Sequence, residues 1–167
     1  MNNLYIKYLL LLPLYVMIQV LILNEILFST YINPFLYLIL IISLPLEINK
    51  LFILSYAFLL GLSVDLLSSS LGFHSTATVL IAFLKPFIAK FTIPHNILSD
   101  NDEINTMKIG VKSYIIFAIC LIIIHNICLF FTEYLEFNSY IFMKILLSSI
   151  VTFVLIYIAQ ILIYVKK

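Results

Sequence analysis

Polar residues in this chain come in short clusters, and the stretches between clusters are apolar over about the length of a bilayer crossing. A helix rises about 1.5 Å per residue, so about 20 apolar residues cover the roughly 30 Å of hydrocarbon. Leu4 to Leu23, Leu51 to Leu67 and Tyr140 to Val165 are runs of that order. The composition agrees: of 167 residues, 64% are hydrophobic and 10% charged, with a mean hydropathy of +1.19, where a soluble domain is roughly half apolar and a quarter charged. The expected fold is an all-α integral membrane protein of six transmembrane helices, forming a single polytopic domain over 1–167.

The polar punctuation places the spans at 4–23, 33–47, 51–67, 71–92, 113–131 and 140–165, with a loop over 94–112. The first run is too long for the apolar core of a secretory signal, and NEILFST after it holds no small-residue cleavage pattern. Pro13 inside it is a tolerated kink. The second span is short. Asn33-Pro34 opens it and Pro45 and Glu47 close it, so a tilted or partly interfacial element is expected. Ser68-Ser69-Ser70 is too short a turn to leave the membrane far behind, so spans three and four form an antiparallel hairpin. At Lys85-Pro86 the fourth span is expected to kink or end, because the residue before a proline disfavours helical geometry. The 94–112 stretch carries Asp100, Asp102, Glu103, Lys108 and Lys112 and reads as a solvated loop, with a partner-binding loop as the alternative.

A net charge of +1 and the lack of a basic block give no footprint for nucleic acid. Cys120 and Cys128 lie eight positions apart in one run, too far along a helix for a disulfide. The lysines set the orientation, since short cytoplasmic loops retain basic residues. With the N-terminus inside, Lys7, Lys50, Lys85, Lys90, Lys108, Lys112, Lys166 and Lys167 fall at cytoplasmic ends, and only Lys144 falls near the other side. Both termini are then cytoplasmic, and Glu25, Glu133 and Glu136 lie outside. Tyr5, Tyr31, Tyr134, Tyr140 and Tyr164 sit near span ends, as an aromatic belt would.

Few polar groups remain inside the spans. Gly61, Asp65 and Ser69 share a face of span three at i, i+4 and i+8. Asp65 lies in the last turn, where it costs less than the roughly 2.5 to 3.5 kcal/mol of a central aspartate, and Gly61 below it admits a close helix neighbour. Two readings of Asp65 stay open: it holds a site or partner, or it caps the following turn or helix together with Ser68 to Ser70. On span four His74, Thr78, Ala82 and Lys85 recur along one side, a stripe that must face protein or water. Lys85 is expected to snorkel to the cytoplasmic end. His74 is expected to make a structural hydrogen bond, to Asp65 or a turn carbonyl, rather than to transfer protons. His125, Asn126 and Gln160 read as interhelical hydrogen-bonding groups. One histidine and one aspartate fall short of a metal ligand set. With no phosphate-cradling glycine loop, HExxH or GxSxG, no cofactor and no enzymatic activity are expected. No inverted repeat marks a self-sufficient transporter.

The central hairpin reads G-L-x-x-D-L-x-S and then L-G-F-H-S-T, as Gly61, Leu62, Asp65, Leu66, Ser68, Leu71, Gly72, Phe73, His74, Ser75 and Thr76. This order resembles the signature of the MreD family of rod shape-determining proteins. The motif covers about a sixth of the chain, and the size, six spans and inside termini extend the likeness to nearly all of it. Ser69-Ser70 departs from the family, many members of which carry glycine or proline there. The resemblance implies a fold similar to the S component of energy-coupling-factor transporters. It implies a non-catalytic inner-membrane scaffold of the bacterial cell-elongation machinery, needed for rod shape and lateral peptidoglycan synthesis. Such a protein binds MreC and, through it, MreB, RodA and a class B penicillin-binding protein. Gly61, Asp65, Ser68, Gly72, His74 and Lys85 are the candidate partner-packing or structural polar site. The alternative from another class is a small-molecule-binding, vitamin-like S component or permease subunit, with Asp65, His74, His125 and Asn126 supplying part of an outer pocket.

Overall fold

The structure, a computed structural model, describes residues 2–25, 31–94, 97–98, 102–135 and 138–164. Asp100, Glu136, Lys166, Lys167 and the side chain of Tyr164 lie outside what it describes. The elements in chain order are α1 (Asn2–Ile18), continued by a π-helical turn over Gln19–Leu23, then α2 (Leu38–Ser43), α3 (Lys50–Ser68), α4 (Phe73–Thr92), α5 (Thr106–Ile109), α6 (Val111–Tyr134) and α7 (Ser139–Tyr164). The described residues form no β-strand. Five helices, the α1 stretch together with α3, α4, α6 and α7, are long and apolar enough to cross a membrane. The chain is an all-helical membrane protein. These five begin and end within three residues of the spans read from sequence.

The second span differs. Only six residues of it are helical, Leu38–Ser43, a rise of about 9 Å. Its residues are enclosed by protein: Tyr37, Leu38, Ile41, Ile42 and Leu44 have 0% exposure. Pro34 and Pro45 bracket the helix, each lacking an N–H and each pushing its predecessor out of helical geometry; Leu44 is accordingly extended, at φ −56 and ψ 143. Irregular backbone at membrane depth persists only where protein satisfies its polar groups, and here the other helices surround it.

The course of this segment follows from its neighbours. The starts of α1 and α3 lie together, with the Tyr5 and Phe52 rings 4.4 Å apart and the Tyr56 hydroxyl donating to the Tyr8 carbonyl at 3.0 Å. Their far ends also meet, where Asn24 Nδ2 donates to Ser68 Oγ at 3.0 Å. The two helices therefore run parallel, and residues 31–49 return between them through the core. The bundle has a turn end, at the α3–α4 turn, and a loop end, at α5.

The α4 helix runs through Pro86 to Thr92, the continuation that the 71–92 span allowed. One further expectation changes. The 94–112 stretch is not simply solvated. Ile104 is fully buried, its N–H donates to the Ser43 carbonyl at 3.0 Å, and Asn105 caps α5 through Met107 N and Lys108 N. Ion pairs Lys7–Glu103 and Lys108–Asp102 fasten this segment at the loop end.

Candidate functional site

The α3–α4 hairpin is built around Gly61. A Cβ there would meet Thr78 Oγ1 at 2.5 Å and Ser75 N at 2.6 Å, so the absence of a side chain is what lets the two helices touch. Thr78 Oγ1 lies within donating distance of the Ala57 carbonyl across the seam, at 2.8 Å, and of the His74 carbonyl on its own helix, also at 2.8 Å. One turn further on, Asp65 is 1% exposed and accepts from His74 N at 3.0 Å, Ser75 N at 2.9 Å and Ser70 Oγ at 2.6 Å. The residue at the start of α4 is Gly72, at φ 88, which has no side chain to cap with. Asp65 supplies the cap from the preceding helix, its charge set against the positive end of the α4 dipole. Of the two readings left open, the capping one is what the geometry shows. Ser68 takes no part in it; its hydroxyl accepts from Asn24 and ties the end of α1 to the hairpin.

The His74 side chain does not bond Asp65 or a turn carbonyl, as expected from sequence; only its main-chain N–H meets Asp65. The ring points inward, where Nδ1 lies 2.8 Å from the Tyr37 hydroxyl, which lies 3.0 Å from His125 Nε2. The chain continues from His125 Nδ1 to Asn126 Oδ1 at 3.1 Å, from Asn126 Nδ2 to Ser149 Oγ at 2.8 Å, and from Ser149 Oγ to the Ile145 carbonyl at 2.7 Å. Its direction can be read from that last step. A carbonyl only accepts, so Ser149 donates to Ile145 and accepts from the Asn126 amide; Asn126 Oδ1 then accepts from His125 Nδ1–H. An imidazolium with 0% exposure and no anionic partner would carry a large desolvation cost, so His125 is neutral and its Nε2 accepts from Tyr37. The Tyr37 oxygen in turn accepts from His74 Nδ1–H.

Lys85 does not snorkel. It is 1% exposed, and its ammonium donates to the carbonyls of Ile41, at 2.8 Å, and of Leu44. These are the last carbonyls of α2, where a cation also suits the helix dipole. The other irregular backbone groups of 31–49 are met in the same way. Gln19 Nε2 donates to the Pro34 carbonyl at 2.8 Å and Gln19 Oε1 accepts from Leu36 N at 3.0 Å. On α7, Ser148 Oγ accepts from Asn33 N at 2.9 Å and Thr152 Oγ1 from Phe35 N at 3.0 Å, while Gln160 Nε2 donates to Ser43 Oγ at 2.9 Å. Sequence reasoning singled out Gln160 but not Gln19, Tyr37, Ser148 or Thr152. Their one signal is setting: a polar group within an otherwise apolar run needs a protein partner.

A cavity of about 450 Å³ opens at the turn end, lined by Asn24, Asn33, Ser70, His74 and Glu133 together with aromatic rings. Beside it the Lys144 ammonium is seated over the rings of Phe130, at 5.0 Å, and Tyr134, at 4.9 Å, and donates to the Tyr134 hydroxyl at 2.8 Å. Among the described residues no three His, Cys, Asp or Glu side chains are grouped to hold a metal ion. Comparison with protein-family models, with curated proteins and with solved structures finds no match to this chain.

Proposed function

We propose that this protein is a non-catalytic scaffold of the bacterial inner membrane, of the MreD type, which supports rod shape and lateral peptidoglycan synthesis. In this reading it docks the membrane helix of MreC and through MreC gathers MreB, RodA and a class B penicillin-binding protein. The observation that carries the reading is how the hairpin residues are used. Asp65 caps α4, Gly61 admits it, Ser68 ties α1 to it, and Lys85 caps α2. Residues used in this way fix helices relative to one another and leave the outward helix faces as the working surface.

Those faces are large and apolar. Leu10 and Leu14 on α1 and Phe142 and Ile150 on α7 are more than half exposed, and a groove of about 560 Å³ between α6 and α7 is lined by Ile123, Ile127, Leu146 and Phe153. A partner helix buries such a surface by van der Waals packing. In this reading residues 31–49 form the sixth crossing, and the fold is of the S-component type. The loop end is cytoplasmic, because Lys7, Lys50, Lys90, Lys108 and Lys112 all fall there.

A second reading, a small-molecule-binding S component or permease subunit, draws support from the cavity at the turn end. Affinity purification of the tagged protein from its native membrane in mild detergent, with mass spectrometry of proteins and small molecules, separates the two. The scaffold reading expects MreC and wall synthases, and less of both with Asp65→Asn. Recovery of an ATPase module with a bound small molecule replaces it with the second reading.

A further inference from the structure

We infer that the cavity at the turn end is a binding site for a primary ammonium group, with His74 and Glu133 as its acceptors. The inference stands under either reading above, because it rests on the lining of the cavity and on the hydrogen-bond chain behind His74.

The first support is the hydrogen-bond chain that ends at His74. Running from the Ile145 carbonyl through Ser149, Asn126, His125 and Tyr37, it leaves the proton of His74 on Nδ1. Asp65 beside it already accepts from three donors, and the rings of Phe35 and Tyr37 enclose the imidazole at 5.6 and 5.9 Å, so the neutral ring is the form that fits. Its Nε2 then carries a lone pair and no proton. That atom bonds no group among the described residues, and it is not sealed in: among the same residues the buried side-chain atoms lacking a partner are Tyr114 Oη and Gln160 Oε1. Nε2 is therefore open on the side chain that lines the cavity, and it asks for a donor. The residues behind it fix which tautomer it presents.

The second support is charge. Among the described residues Glu133 is the carboxylate of the lining and no lysine lines the cavity. The Lys144 ammonium outside the lining and the Tyr134 side chain also act on Glu133, so the carboxylate is shared between that ammonium and a ligand's. The rings of Phe35, Phe73 and Phe130 line it as well, and aromatic faces attract cations. The same end of the molecule already seats one ammonium on such rings, that of Lys144. A volume of about 450 Å³ is within the range of small-molecule sites, about 300 to 1,000 Å³. Lone-pair acceptor, carboxylate and rings together select an ammonium that still has N–H bonds to donate, and they discriminate against a trimethylated one. Such a group arrives either on a free aminoalcohol or on the headgroup of an aminophospholipid.

The test compares ethanolamine with choline chemistry on the purified full chain. Native mass spectrometry reads retention of phosphatidylethanolamine against phosphatidylcholine, and calorimetry reads binding of phosphoethanolamine against phosphocholine. A hydrogen bond to a charged group is worth enough to make the preference for ethanolamine about tenfold or more. A preference in the lipid arm alone identifies a membrane headgroup, and one in both arms identifies a site open to the free amine. Glu133→Gln should abolish the preference while the melting temperature of the protein holds, and His74→Phe should abolish it with a lower melting temperature, since it takes a donor from the buried Tyr37 hydroxyl. Glu133 is exposed, so its variant serves if His74→Phe does not fold. Equal binding of the two headgroups in both arms overturns the inference, and so does a preference that survives both substitutions.

Discussion

Gly61→Ala should be among the most damaging single-methyl additions available in this protein. The new Cβ would lie 2.5 Å from Thr78 Oγ1 and 2.6 Å from Ser75 N, where ordinary contact begins near 3.4 Å. One of these neighbours is main chain in the middle of a helical turn, so α3 and α4 must part by roughly 1 Å. Two hydrogen bonds cross the seam at this level, Ser75 N to Asp65 Oδ2 at 2.9 Å and Thr78 Oγ1 to the Ala57 carbonyl at 2.8 Å, and a shift of that size takes both out of range. The charged one is worth about 1.5–3 kcal/mol and the neutral one about 0.5–1.5 kcal/mol, while overpacking itself costs about 1–3 kcal/mol. Alanine returns about 1 kcal/mol through its better helix propensity, so the net loss is about 2 kcal/mol or more. The assay is loss of helicity on titrating sodium dodecyl sulfate into the protein in dodecylmaltoside, with Leu66→Ala as control. Leu66 is 72% exposed, and its variant should stay within about 0.5 kcal/mol of the parent. Adding Thr78→Ala to Gly61→Ala removes the hydroxyl contact but leaves the Ser75 main chain in place, so the pair should remain destabilised. A Gly61→Ala protein that unfolds with the control, or one rescued by Thr78→Ala, would refute the reasoning.

Three other outcomes follow from the same geometry. Asp65→Asn keeps one carbonyl acceptor but turns an amide towards one of the two main-chain N–H groups of α4, costing about 1–2 kcal/mol in the same titration, with faster amide exchange confined to the first turn of α4; unchanged exchange at His74 and Ser75 would remove Asp65 as the cap. Ser69→Gly should stabilise by about 0.5–1 kcal/mol, since Ser69 sits at φ 55, where only glycine escapes the steric penalty; a loss of stability there would show that the serine side chain contributes more than its backbone costs. Lys85 should resist an amine-acylating reagent in the folded protein while Lys50 and Lys90 react, because its ammonium is enclosed with the carbonyls of Ile41 and Leu44; peptide mapping that finds Lys85 modified as fully as Lys90 would return it to the membrane surface.

The five long helices were legible because each is an apolar run of bilayer length, and the polar clusters between them can only be turns or ends. The Gly61–Asp65 face was legible for the same local reason, being a small residue and a carboxylate one turn apart on one helix. What was not legible lies far along the chain. Residues 35–44 are apolar without a period, which suits a lipid-facing helix and a broken, protein-enclosed segment equally; only the surrounding helices decide. Lys85 near a helix end reads locally as a snorkelling residue, and the carbonyls that hold it lie at positions 41 and 44. His74 reads as a partner of Asp65 nine residues away, yet the ring is claimed by Tyr37, which no local pattern connects to it. Ser69-Ser70 does have a local meaning, since Ser69 adopts the left-handed geometry in which glycine is favoured.

The buried polar residues therefore have a common purpose that none of them displays alone. Gln19 from α1, Lys85 from α4, Ser148, Thr152 and Gln160 from α7 and the Ile104 amide from the loop end all bond one segment, residues 31–49. A broken, enclosed segment carries backbone groups that an apolar surrounding cannot satisfy, so each neighbouring element must bring a partner to it at a fixed height. In doing so the elements lose the freedom to slide past one another, which apolar helix faces in lipid would otherwise retain. A bundle already held this way has little conformational freedom left to lose when another helix docks on it, and that ordering cost is one of the main penalties on association. The irregular segment, the feature least like a membrane helix, is what fixes the outer helix faces relative to one another.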